Sequence, residues 1–218
     1  LPYWGQGKQF NDAGGKLTLD KAAAVKGLNA WLSMVDQGVI KKNVAEVKTP
    51  DTVNEFKAGQ VVFAINWGFA YDRFKDDADS KVKGQVGVMP LPAMTGGKSA
   101  TCMGGWQWAM NAYSTRKDEA GKLIKFLSSK QASAFVAKEG SILPVFQSVY
   151  SDAEVNKVVP WFKDALPVVL AAQSRPMVND YGQVSDIIRT TTSAILARTK
   201  TPEAGVDEIA ARVGRLMR

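Results

Sequence analysis

Apolar positions recur at helical spacing over most of this chain and form strand-like runs in only a few places. Behind Asp20, a ready cap, Val25, Leu28, Trp31, Leu32 and Val35 fall three or four apart, and the pattern stops at Gly38. Thr49-Pro50-Asp51 reads as cap, first helical residue and first-turn acid of a second helix. Val53 and Phe56 make its apolar side, and Gly59 ends it. A short helix is expected from about Phe69 to Lys75. Ser114 is expected to cap a helix with Ala120, Leu123, Ile124 and Leu127 on one side and Asp118 and Glu119 in its first turn. Helical patterning continues over 131–138, 161–172 and 184–196, and Thr201-Pro202-Glu203 opens a last helix through Val206, Ile209, Val213 and Leu216.

The strand-like runs are short. Val61-Val62-Phe63-Ala64-Ile65 is continuous and β-branched, as a strand buried on both faces should be. Gln85-Val86-Gly87-Val88 reads as a second strand, stopped by Pro90 and Pro92, and Trp106 to Asn111 as a third, after Gly104-Gly105. The expected class is therefore helix-rich α/β, without internal repeats or low-complexity linkers.

Composition narrows the chemistry. The 218 residues are enough for one large domain or two small ones, and 45% hydrophobic with 22% charged content is ordinary for a globular chain. No apolar run approaches the roughly 20 residues of a membrane-spanning helix. The chain has no histidine, so Ser-His-Asp and Cys-His catalysis and His-ligated zinc are excluded. Cys102 is the only cysteine, which excludes an internal disulfide and a CxxC metal site and reads as a small buried residue rather than a reactive thiol. No metal or cofactor is expected. The net charge of +7 is spread among acids, and Lys41-Lys42 is the longest basic run, so the pattern reads as solvated faces rather than a nucleic-acid stripe. The opening Leu1-Pro2-Tyr3-Trp4 has neither an initiator Met nor a signal-like apolar stretch, and reads as the interior of a longer polypeptide.

Candidate chemistry gathers where predicted strands run into polar-aromatic loops, the place where open α/β sheets hold ligands. Ile65-Asn66-Trp67-Gly68-Phe69-Ala70-Tyr71 brings Trp67, Phe69 and Tyr71 to one strand end. Gly104-Gly105-Trp106-Gln107-Trp108 combines backbone able to approach a ligand with two rings on one face. Ser174-Arg175-Pro176, followed by Asp180-Tyr181, offers a guanidinium fork and a phenol to oxygen-rich groups. Ring platforms with Arg, Asn and Gln suit sugars, whose C–H faces pack on aromatics while their hydroxyls take planar donors and acceptors. The bland readings are a Trp that plugs the core, a glycine pair that makes a hinge, and an Arg that pairs with a surface acid.

In this order the pieces resemble the C-terminal half of family 1 extracellular solute-binding proteins, the maltose- and trehalose-binding-like receptors of bacterial ABC sugar importers. The matching residues are Trp4-Gly5-Gln6-Gly7, Gly14-Gly15-Lys16, Glu55 to Gly59, Ala64 to Tyr71, Val88 to Pro92 and Gly104-Gly105-Trp106. Glu119-Ala120 through Leu127, Leu143-Pro144, Arg175-Pro176 and Thr201 to Ala204 complete the set. Gly68 stands where many members have Pro, Phe69 where several have Tyr, and Asn179 where a proline is common.

The resemblance implies a periplasmic-binding-protein-like, two-lobe α/β fold. Residues 1–102 and 159–218 would form most of the C-terminal lobe, 107–155 would complete the N-terminal lobe, and 103–106 and 156–158 would be hinge crossings. It implies a monomeric, non-enzymatic substrate-binding component that captures a di- or oligosaccharide in the interlobe cleft by hinge closure. Such a component delivers its sugar to membrane permease subunits and works in the periplasm or outside the cell, with or without a lipid anchor. Carried over, Trp67 is the stacking Trp, Tyr71 and Phe69 further aromatics of that loop, and Gly105 with Trp106 the Gly-Trp pair meeting the sugar. Arg175 grips hydroxyls beside Tyr181, and Tyr3 and Trp4 lie at a position often aromatic. Two other functions compete: the same fold holding an anionic ligand such as glycerol phosphate, and a glycoside hydrolase using two carboxylates among Asp72, Asp76, Asp77 and Asp180.

Overall fold

The computed structural model describes residues 1–217. A 3-10 turn, Trp4–Gln6, precedes ten α-helices and two very short strands. In chain order these are α1 (Lys21–Asp36), α2 (Thr49–Lys57), α3 (Ala70–Asp76), β1 (Thr101–Cys102), α4 (Lys117–Leu127), α5 (Lys130–Gly140) and α6 (Gln147–Tyr150). They continue with α7 (Ala153–Val158), α8 (Phe162–Leu170), β2 (Ala172–Gln173), α9 (Tyr181–Leu196) and α10 (Pro202–Leu216). The chain divides into two compact units. The first comprises Leu1–Val47, Pro90–Gly104 and the chain from Ala171 onward; the second comprises Lys48–Met89 and Gly105–Leu170.

In the first unit, the Asp20 carboxylate accepts a hydrogen bond from the Ala23 N–H and starts α1 as its position requires. Thr201 does the same for α10 through the Ala204 N–H. Helices α9 and α10 bury Val184, Ile187, Ile209 and Val213 with Met217, and Phe10, Leu17 and Leu19 pack against them. A second cluster joins Leu32 of α1 to Ile195 and Leu196 of α9. Lys21 of α1 reaches Asp207 of α10 at 2.7 Å, and Arg198, just past α9, pairs with Asp36 at the end of α1, both pairs being exposed. The helices approach closely at Gly205. A Cβ there would strike the Ile195 Cδ1 and come within 2.9 Å of its Cγ1 and 3.3 Å of Thr191 Cγ2.

The second unit has two apolar clusters. Val53, Ala70 and Phe74 are packed with Phe56, Val82 and Val86, the Phe56 and Phe74 rings standing 4.5 Å apart. Around Phe162, fully buried, gather Val149, Tyr150, Val155, Val159 and Trp161, with Tyr71 and Val88 against them. Lys57, at the end of α2, is only 9% exposed. Its ammonium donates to Asp77 at 2.8 Å and Asp79 at 2.7 Å, and its carbonyl accepts the Lys81 N–H at 2.8 Å. One side chain thus ties α2 to the loop after α3.

The helical expectations hold with small shifts of their ends. Lys48 rather than Thr49 is the N-cap of α2, because the Asp51 carboxylate accepts the Lys48 N–H at 2.8 Å and draws Thr49 into the helix. Arg116 rather than Ser114 precedes α4; the Ser114 hydroxyl accepts the Arg116 N–H in a local turn instead. Helix α9 starts at Tyr181, ahead of its apolar pattern, after Asp180 in a left-handed conformation that Asp tolerates.

The strand expectations fail. None of the segments 61–65, 85–88 and 106–111 forms a ladder. Val62, Phe63 and Ile65 are 82%, 76% and 64% exposed instead of buried on both faces. A β-branched run becomes a strand only where another backbone supplies hydrogen bonds and a packed face, and these segments have none beside them. The only sheet among the described residues is the parallel pair β1–β2, with Thr101 opposite Ala172 and Cys102 opposite Gln173.

Two outcomes follow from this packing. Gly205→Ala will lower stability by about 1–3 kcal/mol, because Ile195 is fully buried and has nowhere to move. Adding Ile195→Val, which removes the clashing Cδ1, will recover part of the loss in chemical denaturation. Lys57→Met will lower the melting temperature at neutral pH. The lysine holds the Asp77 and Asp79 carboxyls below their usual 3.8, while their charges lift the ammonium above 10.5. Depressed carboxyls stabilise above 3.8 and lose that contribution as pH falls through their folded values; the raised ammonium loses its own as pH rises beyond 10.5. The melting difference between wild type and variant must therefore shrink in acid and at strongly alkaline pH; a pH-independent difference would refute the clamp.

Candidate functional site

Each unit carries part of the candidate set. In the second unit, the loop entering α3 is built by local hydrogen bonds. The Asn66 side chain accepts the Trp67 N–H and donates to Thr52 Oγ1, both at 2.8 Å. The Trp67 and Gly68 carbonyls accept the N–H groups of Ala70 and Tyr71. Gly68 is dictated by packing, since a Cβ would lie 2.8 Å from Leu143 Cγ. Trp67 is left 46% exposed and Phe69 44%, so neither is a core plug. Tyr71 has a different setting: its ring stacks on Trp161, centroids 4.6 Å apart and planes 23° apart, at the edge of the Phe162 cluster. Burial, aided by the Asp164 and Asp72 charges, lifts its phenol above the usual range.

Gly105 and Trp106 follow β1 in a stretch without ladder hydrogen bonds. Trp106 is fully exposed, and Trp108 63% exposed. A pocket of about 220 Å³ lies beside Tyr71 and Trp161, with Asp72, Lys75, Ser141 and Lys157 among its walls. Ser141 donates to Asp72 there from a left-handed backbone. Deeper in the same unit, Tyr150 is buried without a hydrogen-bond partner, and burial pushes its phenol up to about 12.

In the first unit, Tyr3 and Trp4 sit at the opening turn. The Tyr3 hydroxyl donates to the Gln9 carbonyl and accepts the Asp20 N–H, both at 3.0 Å, so its polar end secures the start of α1. Gln6 does similar work, its amide donating to the Pro2 and Ala23 carbonyls. Arg175 lies exposed just past β2, with Cys102 and Tyr181 near enough to hold its guanidinium above its ordinary range. Arg175, Tyr181 and Cys102 are thus neighbours at the end of β2. A larger groove of about 640 Å³ lies between α1 and α10, but Lys21, Lys26, Glu203 and Asp207 line it and none of the candidate aromatics do.

Sequence reasoning missed the stacking of Tyr71 on Trp161, which joins residues far apart in the chain and which no local pattern marks. Among the described residues there is no cluster of three acidic, Cys or His side chains able to hold a metal. Asp77 is engaged with Lys57 and Arg73, Asp72 with Ser141, and Asp76 lies near Lys75, so the Asp72–Asp79 region is a set of ion pairs rather than a carboxylate dyad.

The model of the bacterial extracellular solute-binding protein family matches residues 2–161, well over half of the sequence. The chain belongs to that family. This is a family of binding proteins and not of enzymes, which displaces the hydrolase reading. A probable ABC transporter-binding protein of Deinococcus radiodurans is 30% identical over 213 residues, covering 96% of this chain and 50% of that protein. Among solved structures, the maltose-bound MalE3 of T. maritima is 32% identical with a TM-score of 0.90, across 99% of this chain and 56% of that one. The GacH receptor of Streptomyces glaucescens, solved unliganded and with acarbose, is 26% identical with a TM-score of 0.76, across 99% and 57%. The chain therefore has the fold of these two-lobed family members and spans about half the length of the curated relatives it matches.

Proposed function

We propose that this chain is the C-terminal half of the sugar-binding component of an ABC importer. The complete receptor takes up a di- or oligosaccharide in the cleft between its lobes, closes about its hinge, and presents the closed form to the permease. Lobe membership follows the resemblance, with 1–102 and 159–218 in one lobe, 107–155 in the other, and crossings at 103–106 and 156–158. The observation that carries the reading is the set of ring faces left in water, Trp67, Phe69 and above all Trp106, on segments that match family members solved with oligosaccharides. A flat apolar face gains by covering the C–H side of a pyranose, while Arg175 and Tyr181 supply hydrogen bonds to hydroxyls. The sugar drives closure only through interactions it makes in the closed state and lacks in the open one.

Membership in an extracellular family supports a periplasmic or extracellular location. Among the described residues no helix is long and apolar enough to cross a membrane, and a lipid anchor outside this segment would hold the receptor near its permease. We expect the receptor to act as a monomer. The basic balance and Arg175 favour one other ligand class, an anionic sugar or glycerol phosphate.

Trp106→Ala and Trp67→Ala separate binding from folding. In the complete receptor, Trp106→Ala should change stability by less than about 0.5 kcal/mol, since the ring is exposed. Each variant should weaken maltose binding about tenfold or more in calorimetry, the worth of one desolvated ring face. Unchanged affinity in both variants sinks the stacking role. Saturable binding of glycerol phosphate that weakens steeply with salt, with none of maltose, transfers the assignment to the anionic ligand.

A further inference from the structure

A relay of hydrogen bonds runs from α2 to the backbone of Trp67. The Asn66 side chain donates to Thr52 Oγ1 and accepts the Trp67 N–H, both at 2.8 Å, and the Thr52 hydroxyl donates in turn to the Thr49 carbonyl at 2.8 Å. A hydroxyl has a single hydrogen, so Thr52 spends it within α2 and can only accept from Asn66. Turning the amide over would set its NH2 against the Trp67 N–H and its oxygen against a hydroxyl with no hydrogen left. Only one orientation closes the relay. Its far end is firm, because Val53 beside Thr52 is buried with Ala70 and Phe74 of α3, and Lys57 binds α2 to Asp77 and Asp79. On the other side of Trp67, its carbonyl accepts the Ala70 N–H at 3.0 Å. The peptide groups on both sides of the Trp67 Cα are therefore engaged, and two side-chain torsions remain to aim a ring that stands half in water.

We propose that Thr52 is a positioning residue for the ligand-binding site, fixing the Trp67 backbone through Asn66 and so aiming the stacking ring before the sugar arrives. The inference rests on the sugar-receptor reading and adds to it a residue of α2 that acts through two others. A ring aimed beforehand loses less freedom on binding, so cutting the relay weakens affinity while the stacking face itself is kept. Valine has nearly the shape of threonine without its hydroxyl, and leaves the Asn66 amide without its acceptor. Serine keeps the hydroxyl and the relay with it.

The experiment uses the complete receptor and maltose as probe, with affinities of wild type, Thr52→Val, Thr52→Ser, Asn66→Ala, Trp67→Ala and the Thr52→Val/Trp67→Ala double variant. Melting temperatures are recorded for each. Thr52→Val is expected to weaken maltose binding about three- to tenfold, with Thr52→Ser staying within about twofold of wild type. Asn66→Ala cuts the relay at its other end and should show a loss of the same size; it takes the place of Thr52→Val should that variant not fold. In the Trp67→Ala background the Thr52→Val effect should vanish, since no ring remains to be aimed. If Trp67→Ala weakens binding while Thr52→Val does not, the positioning role is wrong and the sugar reading stands. The positioning role fails equally if the Thr52→Val loss persists undiminished without Trp67, or if it tracks a fall in melting temperature that serine shares. Full affinity in Trp67→Ala removes the stacking role of that ring and this inference with it, and absence of maltose binding in wild type overturns the sugar reading and this inference together.

Discussion

Two residues of parallel pairing govern how this chain is organised. Thr101 and Cys102 lie beside Ala172 and Gln173, and the chain leaves the first unit just after Gly104 and returns at Ala171. Parallel strands cannot be joined by a tight turn; they need a long crossover. Here that crossover is the whole of 105–170, including five helices and the largest apolar cluster. A contact of a few hydrogen bonds thus sets both the exit and the re-entry of a large part of the second unit. It also sets Cys102 opposite Gln173, two residues before Arg175. Of the two crossings in the reading proposed above, 103–106 follows β1 directly.

The helices were legible because their information is local. Asp20, Thr201 and the three-to-four spacing of Val206, Ile209 and Val213 act within one or two turns, and the chain obeys them. Strand runs carry only half of their instruction. Val61 to Ile65 has the composition of a buried strand, yet the partner backbone that would make it one is not beside it. The candidate site shows the same division. Residue types and order marked Trp67, Trp106, Arg175 and Tyr181 as candidates, because loop aromatics and an Arg-Pro pair are visible in the sequence. What each does depends on distant neighbours: Tyr71 is committed on one face to Trp161, and the Tyr3 hydroxyl to Gln9 and Asp20.

Exposed apolar side chains on this chain fall into two groups with different physical meaning. One lies on α4 and α5, where Leu123, Phe126 and Phe135 point into water, and α4 buries no residue at all. An amphipathic helix with nothing on its apolar side is only marginally stable in isolation, so such a face implies cover from further protein. Val62, Phe63 and Ile65 belong to the same group, for they lack both packing and backbone partners. That agrees with family relatives about twice this length.

Trp67 belongs to the second group. Its loop is already complete, closed by Asn66 and Thr52 below and by Gly68 against Leu143, so the ring is not waiting for a fold to finish. A tryptophan fixed by its backbone yet half in water contributes little to stability, as the stacking role proposed above requires. Trp106 stands between the groups. It is fully exposed like Val62, in a ladderless segment, yet adjoins the glycine pair at the end of β1 that the family resemblance places against the sugar. Comparing the two rings therefore distinguishes cover by protein from cover by ligand. A ring buried by the remainder of the receptor becomes indispensable to its stability, whereas one reserved for sugar stays dispensable for folding and decisive for affinity.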